Sequence, residues 1–460
     1  MATFTIYNIL EAIDGRWLIK GTTDKFTGIS TDSRKVKPGD LFIAIKGDNF
    51  DGHQYLDKAK SAGAAGAVIC TSIDGVNHKV NEPKQGDWNL IEVIDTVYAY
   101  GRIARFHRRK YKIPVVAITG SAGKTTTKEL TAAVLSIKYN TLKTEANFNN
   151  EIGLPLTLLK LSDEYKAAVI EMGMRGRGQI GYLTSITRPT IGVITNVGMT
   201  HMELLGSQDA IAHAKAELLD EMPKSSLSIL PFDDMYFPML CEHAKGDIFT
   251  FGMHPHSDIK AENIEIMPGG CASFDLKVNF ASCKVKLSVP GRHQVNNALA
   301  AAAVGFNAGI SLEEIAEGLA IYHGEKGRMQ VFTSEDGYMV VDDTYNANPA
   351  AMQATLEFLA ECPGNKKIAV IADMRELGGM EKEIHREIGE LAASLKIDVV
   401  IATGELGREY VRGAGENIAC WQPDHDAVIE AVRKIAASGD IILVKGSRAM
   451  QMEKVVNGIL

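Results

Sequence analysis

The chain has 460 residues, 45% of them hydrophobic and 23% charged, a soluble-globular composition that excludes a disordered chain, a collagen-like chain and a membrane-spanning bundle. Its 49 Lys and Arg against 57 Asp and Glu leave a net charge of -8, which points to no nucleic-acid partner while still allowing local basic pockets for phosphate. At about 150 residues per domain, the length corresponds to roughly three domains.

In chain order, residues 1–90 read as a small α/β unit. It has a strand over 41–45, a helix over 55–65 and a strand over 67–70, then a loop or boundary over 74–88 rich in Asn, Gly, Pro and Lys. Near its start, Glu11 and Asp14 interrupt the apolar residues, so no leader pattern is expected. Residues 93–110 have helical spacing and a basic end (Arg105, Arg108, Arg109, Lys110), where cations complement a helix dipole. From residue 113 strands alternate with helices: strands over 115–119, 167–172, 191–195 and 227–230, helices over 124–136 and 208–220. That alternation predicts a mostly parallel sheet covered on both faces. A β-rich patch (264–289) and an Ala-rich helix (296–307) follow. Strand patterns then return at 338–341, 367–372, 399–402 and 441–444, predicting another doubly wound domain. The expected fold class is α/β in three domains, 1–90, 91–323 and 324–460. No apolar run reaches the ~18 residues a bilayer requires, so no stable membrane insertion is expected. The six cysteines (Cys70, Cys241, Cys271, Cys283, Cys362, Cys420) form no C-x-x-C pair and read as reduced thiols of a cytoplasmic protein.

The most informative segment is VVAITGSAGKTTTKEL, residues 115–130. A β-branched strand runs into Gly120, Ser121, Ala122, Gly123, Lys124 and Thr125, and a helix starts at once. Glycines let backbone N–H groups turn onto phosphate oxygens, and the helix N-terminus adds partial positive charge. Lys124 can reach the β- and γ-phosphates, and the Thr125 hydroxyl can bind Mg²⁺. Ile118 stands where the longer G-x-x-x-x-G-K-[ST] pattern has Gly, so the match is the shorter G-x-x-G-K-T. Its strand–loop–helix setting marks a nucleoside-triphosphate site. The loop alone does not separate a kinase, a GTPase switch, a motor or a ligase.

Further polar groups cluster where strands should end, the usual ligand crevice of an open α/β sheet. Asn147, Asn149 and Asn150 lie in one amide-dense stretch. Glu171 ends a strand, placed for Mg²⁺, and is followed by Arg175 and Arg177. Asn196 and His201 lie past the next strand, where the histidine can be structural or a ligand. Lys215, beside Glu217 on a helix, reads by itself as a solvated lysine. The segment 291–297, with Asn297, reads as an amide-rich helix cap. Arg328 can bring positive charge to a transferring phosphoryl group. It precedes a strand ending in Asp342 and Asp343, then the turn Thr344, Tyr345, Asn346, Ala347, Asn348, Pro349. Asp343 is taken as the functional carboxylate, although the sequence does not say which of the two faces the crevice. Lys445, Gly446, Ser447 and Arg448 form either a carboxylate clamp or a capped turn.

Together, ITGSAGKTTTKE, TEANFNNEIGLP, EMGMRGRGQI, TNVGMTHMELLGS, GRHQVNNALAAA, DDTYNANPAAM and VKGSRAM resemble the Mur ligase family, over nearly the whole chain. Ser30, Thr31, Asp32, Ser33 and Arg34, the stretch 39–44 and Gly47, Asp51, Gly52 and His53 look like that family's UDP-binding region. The likeness is greatest to the member that adds D-alanyl-D-alanine to UDP-N-acetylmuramoyl-tripeptide. It implies a small N-terminal UDP-binding domain, a central P-loop ATPase-like domain and a C-terminal Rossmann-like domain. It also implies a reaction of cytoplasmic peptidoglycan synthesis, hence of cell shape and division: ATP phosphorylates the tripeptide carboxylate, and the dipeptide amine attacks the acyl-phosphate, giving an amide, ADP and phosphate. The protein would act as a monomer.

The same resemblance implies roles. Gly120 to Thr126 hold ATP, Asn297 contacts adenine, and Arg328 and Asp343 reach ATP when domains close. Thr125, Glu171, His201 and a carbamylated Lys215 would be metal ligands. Ser30 to Arg34, Asn147, Asn149, Asn150 and Arg175 face the donor substrate, and Asn346 and Asn348 the acceptor. Three features depart from the family's usual pattern: Gln294, Ala372, and residues 230–232 before Asp233 and Asp234. Two other readings compete, namely a related amino-acid or folylpolyglutamate ligase and a non-catalytic nucleotide switch. The turn 345–349 favours the dipeptide-adding type.

Overall fold

The computed structural model describes residues 3–47, 50–70, 83–200, 202–267, 270–375 and 377–460. The chain divides into two compact units, one of residues 1–117, 139–174 and 179–190, the other of 118–138, 175–178 and 191–460.

In the first unit a sheet runs in the order Gly28–Ser30, Asp40–Ile43, Gly66–Cys70, Asn89–Val93, Arg16–Lys20, Lys84–Gln85. Its first four strands are parallel, and Arg16–Lys20 turns antiparallel against Asn89–Val93. Asp40–Ile43 is buried at every position, as a strand covered on both faces must be. Asn89 is the polar pin of this sheet: its Oδ1 accepts from Trp17 Nε1 (3.2 Å) and Gly21 N (3.0 Å), and its Nδ2 donates to Thr23 O (2.7 Å).

The helix expected over 93–110 is Thr96–Arg108. Val93 belongs to the preceding strand, and the Asp95 carboxylate caps the helix by accepting from Val97 N (2.7 Å) and Tyr98 N (2.9 Å). Its basic end does more than complement a dipole. Arg108 is buried and donates to the carbonyls of Tyr111 (2.6 Å) and Arg188 (3.3 Å). Of the loop expected over 74–88, residues 74–82 lie outside the described residues. Its end is anchored by Trp88 Nε1 donating to Ala64 O (2.7 Å). Thr141–Lys143 and Ala167–Glu171 pair in parallel.

The chain enters the second unit within Val115–Thr119 and continues through the loop into the helix Lys124–Ser136. There Ile191–Ile194, Leu227–Pro231 and Asp247–Gly252 are parallel neighbours. The β-rich patch resolves into Ile259–Ile266, Cys271–Val278 and Ala281–Pro290, joined antiparallel. The Ala-rich helix is Gln294–Asn307, with every residue from Asn297 to Gly305 buried, and it packs against Lys124–Ser136.

A second sheet in this unit has the order Gln330–Thr333, Met339–Asp343, Ile441–Lys445, Lys367–Ala372, Val399–Thr403, Ala419–Gln422. All pairs are parallel except the first. One core cluster centres on Val341, Leu356, Ile371 and Leu443, another on Val340, Val370, Ile442 and Val444. Successive residues of one strand thus feed opposite faces. Both faces are covered, the doubly wound arrangement expected for this region.

Candidate active site

The loop after Val115–Thr119 is built on two glycines in the positive-φ region. A Cβ on Gly120 (φ 153°) would lie 1.9 Å from Thr195 Oγ1, and one on Gly123 (φ 76°) 2.2 Å from Asn297 Oδ1. The backbone is pinned by the segment after Ile191–Ile194. Asn196 Oδ1 accepts from Ala122 N (2.9 Å), and its Nδ2 and Thr195 Oγ1 donate to Ala122 O (3.0 and 2.6 Å). The Ser121 hydroxyl donates to Gly198 O (2.8 Å) and accepts from Gly198 N (2.8 Å). Lys124 Nζ lies back over the loop, donating to Gly120 O (2.7 Å) and Ser121 O (3.3 Å), and Thr125 and Thr126 are buried at the helix start. The sequence assigns Asn196 no role; its one signal there is an amide two residues past the crevice strand Ile191–Ile194.

Asn297 is buried under this loop, accepting from Thr127 Oγ1 (3.3 Å) and donating to Gln294 Oε1 (2.8 Å). This gives Gln294 a place, as the partner of that amide. The helix cap expected from 291–297 does not form, because His293 at the N-cap makes no side-chain capping bond and the amides are spent on each other.

Lys215 is not the solvated lysine that its helix alone suggested. It is 1% exposed on Gln208–Glu221, and burial first, then the nearby Lys124 charge, holds its amine well below the usual lysine range. Neighbouring Glu217 instead accepts from Gly178 N (2.6 Å).

The structure settles the acidic pair at the end of Met339–Asp343. Asp342 turns into a local bend, accepting from Thr344 N (3.1 Å) and Thr344 Oγ1 (2.6 Å). Asp343 points to the other face, where it accepts from Met329 N (3.2 Å) and pairs with buried Lys445. Lys445 thus has its partners within the chain, and Arg448 pairs with Glu453 at 2.9 Å. Arg328 stacks 3.9 Å over the Tyr345 ring and lies 3.8 Å from Glu325, itself 3.7 Å from Lys128 of the phosphate-loop helix. Asn348 caps Pro349–Glu361 by accepting from Ala351 N (2.9 Å), and the Asn346 carbonyl accepts from Lys445. His293 is part-buried, and loss of water around its ring lowers it to about 4, with Asp343 pulling the other way.

In the first unit, Glu171 ends Ala167–Glu171 and is 2% exposed. Its Oε1 accepts from Asn149 Nδ2 (2.8 Å), while Oε2 has no hydrogen-bond partner among the described residues. Asn149 thus orients the carboxylate, Asn150 Oδ1 accepts from Gly153 N (2.9 Å) at the start of Gly153–Leu158, and Asn147 is exposed. Near the N-terminus, Ser30 Oγ donates to Asp32 O (3.0 Å), and Arg34 grips Asp32 with two bonds of 2.9 Å. Those bonds hold the carboxyl down to about 2. His53 Nε2 accepts from Cys70 N (2.9 Å), which leaves Nδ1 to donate to Asp51 (2.6 Å). His201 lies outside the described residues, and among those described no three His, Cys, Asp or Glu side chains gather to hold a metal.

A strand, a glycine loop and a helix N-terminus pinned in this way define a phosphate-loop nucleotide-binding protein of the α/β class. Comparison with family models matches the Mur ligase family catalytic domain over residues 25–108, the Mur ligase middle domain over 118–305 and the Mur ligase glutamate ligase domain over 327–448. The chain belongs to the Mur ligase family. It is 36% identical to the UDP-N-acetylmuramoyl-tripeptide--D-alanyl-D-alanine ligase of Escherichia coli K12, across 100% of this chain and 99% of that protein. Among solved structures, MurF from Acinetobacter baumannii aligns with TM-score 0.90 at 31% identity, covering 100% and 99% of the two chains. MurF from Thermotoga maritima in complex with ADP aligns at 0.82 and 29% identity, covering 94% and 96%.

Proposed function

We propose that this protein is an ATP-dependent ligase that joins D-alanyl-D-alanine to UDP-N-acetylmuramoyl-tripeptide in peptidoglycan-precursor synthesis. The observation that carries this reading is the pinned phosphate loop, in a chain alignable from end to end with ligases of that activity. A carboxylate is a poor electrophile. Its oxygen takes the γ-phosphoryl group of ATP, releasing ADP; the acceptor amine then bonds to the acyl carbon, phosphate leaves, and the amine loses its proton.

Residues 1–90 are assigned to the donor substrate through Ser30 to Arg34, 91–323 to ATP, and 324–460 to the acceptor through Asn346 and Asn348. Gly120 to Thr126 cradle the triphosphate, with Lys124 on its terminal phosphates, Asn297 toward adenine, and Arg328 and Asp343 completing the nucleotide site. Asn147, Asn149, Asn150 and Arg175 are assigned to the donor side. Glu171 and Thr125 are each assigned to Mg²⁺ on their own chemistry: Glu171 Oε2 is a buried carboxylate oxygen with no hydrogen-bond partner among the described residues, and Thr125 offers a hydroxyl at its helix start. Mg²⁺, when bound, would neutralise phosphate charge. Lys215, held toward its neutral amine, is the chemical form that adds CO₂ to become a carbamate.

The test is phosphate release from ATP with UDP-N-acetylmuramoyl-tripeptide, offering D-alanyl-D-alanine, meso-diaminopimelate, L-lysine or glutamate as acceptor. Release with the dipeptide alone is expected. Release only with glutamate added to a folate overturns the reading.

A further inference from the structure

Lys445 ends Ile441–Lys445, and the parallel register sets it beside Asp343 on one neighbour and Ile371 on the other. Matched positions of paired strands present their side chains on one face. Ammonium and carboxylate therefore meet: Lys445 Nζ donates to Asp343 Oδ2 and also, at 3.0 Å, to the carbonyl of Asn346. Lys445 is 2% exposed, so its charge is not offered to solvent. The second oxygen of Asp343 takes Met329 N, the residue after Arg328. One ion pair thus ties together the strand end, the segment carrying Arg328 and the turn carrying Asn346 and Asn348. It also cancels the carboxylate charge that would otherwise repel a triphosphate.

We propose that Lys445 is a positioning residue of the ligation and not a clamp for a substrate carboxylate. Its single ammonium group sets Asp343, on the nucleotide side, and Asn346, on the acceptor side, at a fixed spacing. The proposal rests on the roles given to Asp343 and Asn346 above. A displacement of about 1 Å between reacting partners costs on the order of 10²-fold in rate. A clamp would instead act on affinity for the acceptor, and only through that molecule's carboxylate.

The experiment compares wild type, Lys445→Gln and Lys445→Arg in steady-state phosphate release with two acceptors, D-alanyl-D-alanine and its C-terminal amide. For Lys445→Gln the expected result is a fall in kcat of about 10²-fold, equal for both acceptors, with KM for UDP-N-acetylmuramoyl-tripeptide unchanged. A loss seen with the free acid and absent with the amide overturns the proposal in favour of a clamp, and an unchanged kcat overturns it outright. If Lys445→Gln fails to fold, Lys445→Arg decides. It keeps the charge but not the point geometry that reaches both oxygens, so kcat falls for both acceptors, and a wild-type kcat overturns the proposal. Wild type without any acceptor-dependent release overturns the ligase reading itself, separately from the role of Lys445.

Discussion

Asn196 and Asn297 show how much of a phosphate loop lies outside its motif, since Asn196 bonds the loop backbone at Ala122 and Asn297 fills the space beside Gly123. His293 gives a measurable consequence. Its folded value of about 4 lies below the usual 6.5, so the unfolded chain binds the proton first as pH falls. The stability this histidine contributes is fully present above pH 6.5 and is lost down to about pH 4, roughly 1.4 kcal/mol per pH unit and about 3 kcal/mol in all. Urea unfolding of wild type and His293→Gln across that range should show the variant without this share of the slope. Lys215 gives another. Lys215→Ala is expected to lose turnover and to regain part of it with short carboxylic acids that replace a carbamate; a fully active variant rules the carbamate out.

Elements with strong local signals formed where they were expected. Val115–Thr119, Lys124–Ser136, Lys367–Ala372 and Ile441–Lys445 are β-branched or apolar-periodic runs bounded by turn residues. Weakly patterned strands carry little local signal: Arg16–Lys20 alternates no clear face, and Ala419–Gln422 is a four-residue edge strand with one buried position. The helix expected from 93 starts at Thr96 because a strand ends at Val93, and only Ile94 and the Asp95 cap divide the two. Asp95→Ala should lower stability by about 1 kcal/mol, read as a shift in denaturant midpoint with no change in phosphate-release kinetics.

For the whole chain, nucleotide binding and folding are linked. A non-hydrolysable ATP analogue at 100 times its Kd should raise unfolding free energy by about 2.7 kcal/mol, visible as a higher Tm. Lys124→Ala should lose both that rise and turnover, and a variant that keeps them would remove the loop from the mechanism.

The amino-acid order by itself determined the α/β class, the phosphate loop and the family, because those depend on periodicity, glycine placement and short contiguous motifs. Only the tertiary structure decided that Asp343 and not Asp342 meets Lys445, that Lys215 is buried, and that Gln294 serves Asn297. Register and burial arise when distant strands pair, and a linear pattern carries no record of which face a side chain takes once they do.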